Sequence, residues 1–141
     1  MADEYRIQYT DHPDDADHTI IGMGLQRFNE QQAGADGYRR LCLFLHAPDG
    51  AVVGGLVGAT FYGWLYVSLL WVKEELRGQG HGHQLLTQAE QEARRRGAKS
   101  AFLDTFSFQA PDFYRKNGYQ VFGVLQGFPE GHQRYYLKKE L

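Results

Sequence analysis

The chain has 141 residues, with 15 Lys and Arg set against 17 Asp and Glu, a formal net charge of −2. That length predicts a single domain over 1–141 with one sizeable core, and the near-balance of charge gives no electrostatic ground for nucleic acid or an anionic membrane as a partner. Cys42 is the only cysteine, which excludes an intrachain disulfide, and no apolar run reaches membrane-spanning length. The acidic, polar start is unlike a signal peptide, so a soluble cytoplasmic protein is the expectation.

Tyr5 to Tyr9 alternates Tyr, Ile and Tyr with Arg and Gln, a short strand pattern. Asp11 to Asp17, with Pro13, suits a turn and a helix start. From about Ala16 to Gln32, Ile20, Ile21, Gly24, Leu25 and Phe28 recur at helical spacing and predict a helix. Leu41 to His46 and Ala51 to Tyr62 read as strands joined by the turn Ala47-Pro48-Asp49-Gly50, a hairpin. Gly54, Gly55 and Gly58 in the second arm predict a bulge or a close backbone approach. After Gly63, Trp64 to Val72 is apolar except for Ser68 and reads as a central strand covered on both faces.

Leu69 to Ala89 is the most informative stretch. An apolar strand passes through glycines at 78, 80 and 82, and Leu85, Leu86, Ala89 and Ala93 then share one helical face. Strand, glycine loop and helix start together present unpaired N–H groups and a positive dipole end, which suit a phosphate or pyrophosphate. The spacing is neither the dinucleotide fingerprint nor a nucleoside-triphosphate loop. The helix is expected over about Gly82 to Arg96. Glu90–Arg94 and Glu92–Arg96 pair on its solvated side, Arg94 to Arg96 form a solvated end, and Gly97 is the cap. Lys99 to Asp104 follows as a parallel strand. Thr105 to Ala110 reads as a loop, Pro111 to Gly118 as a short helix, and Tyr119 to Leu125 and Arg134 to Leu137 as two closing strands. His81 and His83 face different ways, and no His-Glu-x-x-His or cysteine pair occurs, so no metal site is expected.

Arg77, Gly80 and Gly82 match Arg/Gln-x-x-Gly-x-Gly/Ala, and the stretch resembles the acetyl-CoA loop of the GNAT superfamily of N-acetyltransferases. Tyr114, Gly118 and Tyr119 are similar to the family's Tyr-x-x-x-Gly-Phe/Tyr segment, with Ala110 where alanine is common. The two closing strands are a third likeness. Ser107 departs from it, since that place often holds an asparagine that helps hold the cofactor arm.

The resemblance implies an α/β fold: a mixed sheet of about six to seven strands with helices on both faces, its central strands splayed to admit the coenzyme arm. It implies that backbone groups of Leu70, Trp71 and Val72 bond the arm. Arg77, Gly78, Gln79, Gly80, His81 and Gly82 would hold the pyrophosphate, with Ser107 beside the arm. The implied activity is transfer of an acetyl group from acetyl-CoA to a primary amine, of a small metabolite, an amine antibiotic or a peptide, the short chain favouring a small molecule, with Tyr114 as general acid. Asp104 is the candidate base, with Glu30, Glu74, Glu75 and a water chain as alternatives. Glu30, Tyr62, Trp64 and Phe108 are candidates for the acceptor side, and Tyr119 is read as core. Family members are often homodimers, so that state is an expectation here. The competing readings are a non-catalytic acyl-CoA-binding sensor and a partner-binding scaffold.

Overall fold

A computed structural model describes residues 4–141. They fall into two compact units that divide between Asp36 and Gly37. The first carries one helix, α1 (Asp15–Ala33), as the apolar spacing predicts. Asp15 and Asp17 occupy its first turn, where negative charge favours the helix dipole. Gly34, at φ 81, ends it and donates its N–H to the Glu30 carbonyl. None of the residues of α1 is buried. The strand expected over Tyr5–Tyr9 does not form. Tyr5 and Ile7 are fully exposed, and among the described residues this unit has no second strand to close the ladder. Alternation gives a strand two faces, but only a partner backbone satisfies its N–H and C=O groups.

The second unit, Gly37–Leu141, is built on a six-stranded mixed sheet. Its strands are β1 (Arg39–His46), β2 (Val52–Phe61), β3 (Trp64–Val72), β4 (Ser100–Phe106), β5 (Gln120–Gln126) and β6 (Gln133–Glu140). Two helices, α2 (His81–Arg95) and α3 (Pro111–Lys116), interrupt the strands. The spatial order is β1-β2-β3-β4-β6-β5, antiparallel everywhere except between β3 and β4. The β1–β2 and β2–β3 connections are the hairpins that the turn signals predict. In the second, Tyr62 at φ 47 and Gly63 at φ 77 form the two-residue turn that matches strand twist.

One face of the sheet carries the core. Leu56, Leu65, Leu103 and Leu137 pack there with Leu85, Leu86, Ala89 and Ala93 of α2 and with Tyr114 of α3. Each fully buried leucine contributes about 1.5–3 kcal/mol. Residues one step along each strand point the other way. Trp64 and Tyr66 of β3, Phe102, Asp104 and Phe106 of β4, and Arg134, Tyr136 and Lys138 of β6 share that second face.

Two surface readings of α2 are overturned. Glu90 does not pair with Arg94 on the solvated side. It is buried, accepting from the Tyr119 hydroxyl at 2.9 Å and from Lys139 Nζ at 2.8 Å. Arg96 is not a solvated end either, because it reaches back to the Arg39 carbonyl and Thr60 Oγ1, both at 3.2 Å, while keeping the predicted pair with Glu92. Spacing along one helix identified partners on that helix, but tertiary neighbours offered better ones. Among the described residues no helix is long and apolar enough to cross a membrane.

Candidate active site

The two parallel strands pair over only four residues, from Trp64 opposite Ser100 to Val67 opposite Leu103. Beyond that point β3 continues to Val72 paired with β2 alone, and β4 continues to Phe106 paired with β6 alone. The strands have parted in the middle of the sheet. The cause lies in β3: Val57 faces Leu69 and Gly58 faces Val67, so Ser68 is an extra residue. Such a bulge bends its strand and increases its twist. The Ser68 hydroxyl donates to the Val57 carbonyl at 3.0 Å and fixes the bend. Gly58 is required there, because a Cβ would lie 2.3 Å from the Tyr66 carbonyl oxygen. Leu70, Trp71 and Val72 therefore present one backbone edge to the gap with no strand partner across it.

The glycine loop follows directly. A single 3-10 turn, Glu74–Leu76, leads into it, and Arg77 Nε donates to the Val72 carbonyl at 3.0 Å, pinning the loop to the end of β3. Gly78 at φ 76 and Gly80 at φ 88 adopt left-handed conformations that favour glycine. The backbone N–H groups from Gly78 to His83 donate to no protein acceptor among the described residues. A row of unpaired amides at the start of a fifteen-residue helix suits an anion by dipole and by geometry. Gly82 lets α2 and α3 approach, since a Cβ there would meet the Phe113 ring at 3.2 Å. Gln79 Nε2 donates to the Glu75 carbonyl, and His81 Nδ1 is buried without a hydrogen-bond partner.

Tyr114 sits on the helix-covered side of the gap and is 7% exposed. Its hydroxyl hydrogen-bonds to nothing among the described residues. Burial pushes its pKa up to about 12, and the charge of Asp104 adds to the rise. Asp104 is the first β4 residue past the last β3–β4 pair, and its side chain points to the opposite face. Arg134 grips its Oδ1 through Nε at 2.8 Å and Nη2 at 2.5 Å. Tyr66 stands beside them, its pKa raised by burial and then by the Asp104 charge. The gap thus has a phenol on one side and a carboxylate on the other.

The remaining candidates are scattered. Ser107 is engaged by the start of β6: its Oγ accepts from the Gln133 N–H at 3.1 Å and lies 3.2 Å from His132 Nδ1. Phe108 stacks on Phe106 at the open end of β4. Tyr62 and Trp64 stand at the other end of β3, where they line a separate cleft of about 430 Å³ with Phe61, Phe102, Phe122 and Lys138. The three aromatics therefore do not form one wall. Glu30 belongs to the α1 unit, where its carboxylate accepts from Gln26 Nε2 at 3.3 Å. Tyr119 is core, as read. Among the described residues no group of three His, Cys, Asp or Glu side chains is placed to hold a metal ion.

Sequence reasoning missed the parts played by Arg134, Tyr66 and Ser68. Two of them left a trace: Ser68 is the one polar residue in an apolar strand, and alternation along 134–138 puts Arg134 on the face opposite Leu137. The position of Tyr66 beside Asp104 required the parallel register.

Comparison with known proteins agrees with this fold. The model of the acetyltransferase (GNAT) family matches residues 2–119. The chain is 40% identical over 120 residues to the acetyltransferase Atu2258 of Agrobacterium fabrum, covering 85% of this chain and 84% of that one. It is 41% identical over 93 residues to the blasticidin-S acetyltransferase of Streptomyces morookaense, covering 65% and 68%. A crystal structure of an acetyltransferase from Bacillus cereus superposes with a TM-score of 0.85 at 30% identity, covering 95% of this chain and 98% of that one.

Proposed function

The chain belongs to the GNAT family of acetyltransferases, and on that premise we propose that it transfers an acetyl group from acetyl-CoA to a primary amine of a small molecule, by direct attack on the thioester. The observation that carries the reading is a coincidence of place. The parted strands open at the end where a run of amides without protein acceptors begins. A slender amide chain ending in a diphosphate fits both. The small-molecule acceptor is supported by the likeness to an enzyme that acetylates blasticidin S. The family match runs through both units, so we treat 1–141 as one catalytic domain.

Acetyl-CoA, when bound, supplies the activated acetyl thioester. Leu70, Trp71 and Val72 would hold its arm as a strand partner does, and amides from Arg77 to Gly82 would hold the diphosphate. A backbone N–H of the Leu70–Val72 edge would stabilise charge gathering on the carbonyl oxygen. The Tyr114 hydroxyl would pass its proton to the departing sulfur and regain one from water. Its raised pKa keeps that proton in place through neutral pH. Asp104 would take the amine's proton on Oδ2, the oxygen outside the grip of Arg134, and pass it to water. Phe108 keeps a place on the acceptor side; Tyr62 and Trp64 are better assigned to their own cleft. A cytoplasmic setting and a homodimer belong to the same proposal, the latter checked by sedimentation.

The test is Tyr114→Phe. Thiol release across a panel of amines should fall by about 100-fold or more, with the acetyl-CoA dissociation constant by calorimetry changed less than about twofold. Near-normal turnover would remove Tyr114 as the acid. Tight coenzyme binding with no amine accepted would favour the acyl-CoA sensor, and absence of binding heat would end both readings.

A further inference from the structure

We propose that Arg134 selects the acceptor: the free edge of its guanidinium binds a carboxylate that the substrate carries several bonds away from its reacting amine. This rests on the acetyltransferase reading and narrows it to a substrate class, ω-amino acids and molecules built like them.

Arg134 is held from two directions. Nε and Nη2 both donate to Asp104 Oδ1. Its guanidinium carbon also lies over the rings of Phe106, Phe128 and Tyr136, at 5.2, 5.1 and 5.5 Å from their centroids. A long side chain so fixed has already lost most of its rotamer freedom, so a ligand docking on it forfeits little more. Yet the group is not used up. Its side chain is 27% exposed, and Nη1 donates to nothing among the described residues. Arg96 shows the contrast: it is 12% exposed, and its Nη1 is spent on a carbonyl and a threonine hydroxyl. Arg96 joins elements, whereas Arg134 keeps a planar pair of donors, Nη1 and Nη2, facing outward in the fork geometry that suits a carboxylate.

The placement sets the length of the ligand. Asp104 stands at the vertex where β3 and β4 part, so the amine sits on its side of the ion pair. The free edge of Arg134, Nη1 with the second N–H of Nη2, adjoins the edge that Asp104 occupies and is turned away from the carboxylate. Amine and carboxylate must therefore span the width of the pair, which an α-amino acid cannot do. The exposed rings of Phe108 and Phe128 offer apolar surface to the methylenes between them.

The experiment compares 6-aminohexanoate, hexylamine and alanine as acceptors in a thiol-release assay. The wild-type protein should favour 6-aminohexanoate over hexylamine by about tenfold or more in kcat/KM, with alanine no better than hexylamine. Arg134→Lys should narrow that ratio to about threefold or less, chiefly through KM, because the ammonium keeps the charge and loses the fork. A thermal midpoint reports whether this variant folds. Independently of turnover, the Arg134 Nε resonance of ¹⁵N-arginine-labelled wild-type protein should move on titration with 6-acetamidohexanoate and CoA, and stay still with N-hexylacetamide. Equal use of hexylamine, a ratio that survives Arg134→Lys, or a resonance indifferent to the carboxylate overturns the proposal while the acetyltransferase reading stands. Failure to bind acetyl-CoA would remove that reading first, and this one with it.

Discussion

Tyr114 and Glu90 show what a residue's neighbours decide that its sequence position cannot. Both were identified in the sequence, but only the fold shows that the Tyr114 hydroxyl lacks a partner while Glu90 lies in a buried cluster with Tyr119 and Lys139. The state of Tyr114 has a measurable consequence. It is neutral when protonated, and its folded pKa of about 12 lies above the ordinary tyrosine value near 10. The folded protein therefore holds this proton where the unfolded chain has lost it. That contribution is complete below about pH 10 and is lost as pH rises toward about 12, a swing on the order of 2–3 kcal/mol. Tyr119 adds a slope of the same sign. Urea midpoints between about pH 9 and pH 11 should fall less steeply in Tyr114→Phe than in wild type, and equal slopes would show that the phenol is not buried in solution.

Among the elements, most of what the chain declares is local. Helix spacing, the two hairpin turns, Gly97 as a cap and Pro111 at the start of α3 all appear where their residues place them. Tyr5–Tyr9 has the pattern without a partner, and so has no strand. The parting of β3 from β4 is non-local, because it depends on one residue of β3 failing to find a place opposite β2. Deleting Ser68 should test this directly. The deletion takes out the extra residue and leaves the flanking β2–β3 pairs in register, so β3 straightens toward β4. Coenzyme affinity should drop by about tenfold or more while the far-ultraviolet dichroism stays that of the folded protein. Undiminished affinity would mean that the bulge is not what opens the sheet.

For the molecule as a whole, the motifs fixed the function class and the order of elements, and three-dimensional register supplied the chemistry. The loop from Arg77 to Gly82 could be recognised because its left-handed turns at Gly78 and Gly80 impose glycine. The cluster proposed for the acceptor side could not, because Asp104, Arg134 and Tyr66 meet only once β4 lies between β3 and β6. Hydrogen exchange should map the same division. Amides paired between Leu65 and Val67 and β4 should exchange slowly, and those of 69–72 that face the gap should exchange fast and slow down on adding acetyl-CoA. No change in that segment would place the arm elsewhere. The parting of β3 from β4 has one more consequence, for the protein's safety in a crowded cell. An unsatisfied strand margin at the rim of a sheet invites other chains to add on and grow into fibrils. Here the vacancy lies inside, with a strand on either flank, so it admits a thread and turns away a ribbon.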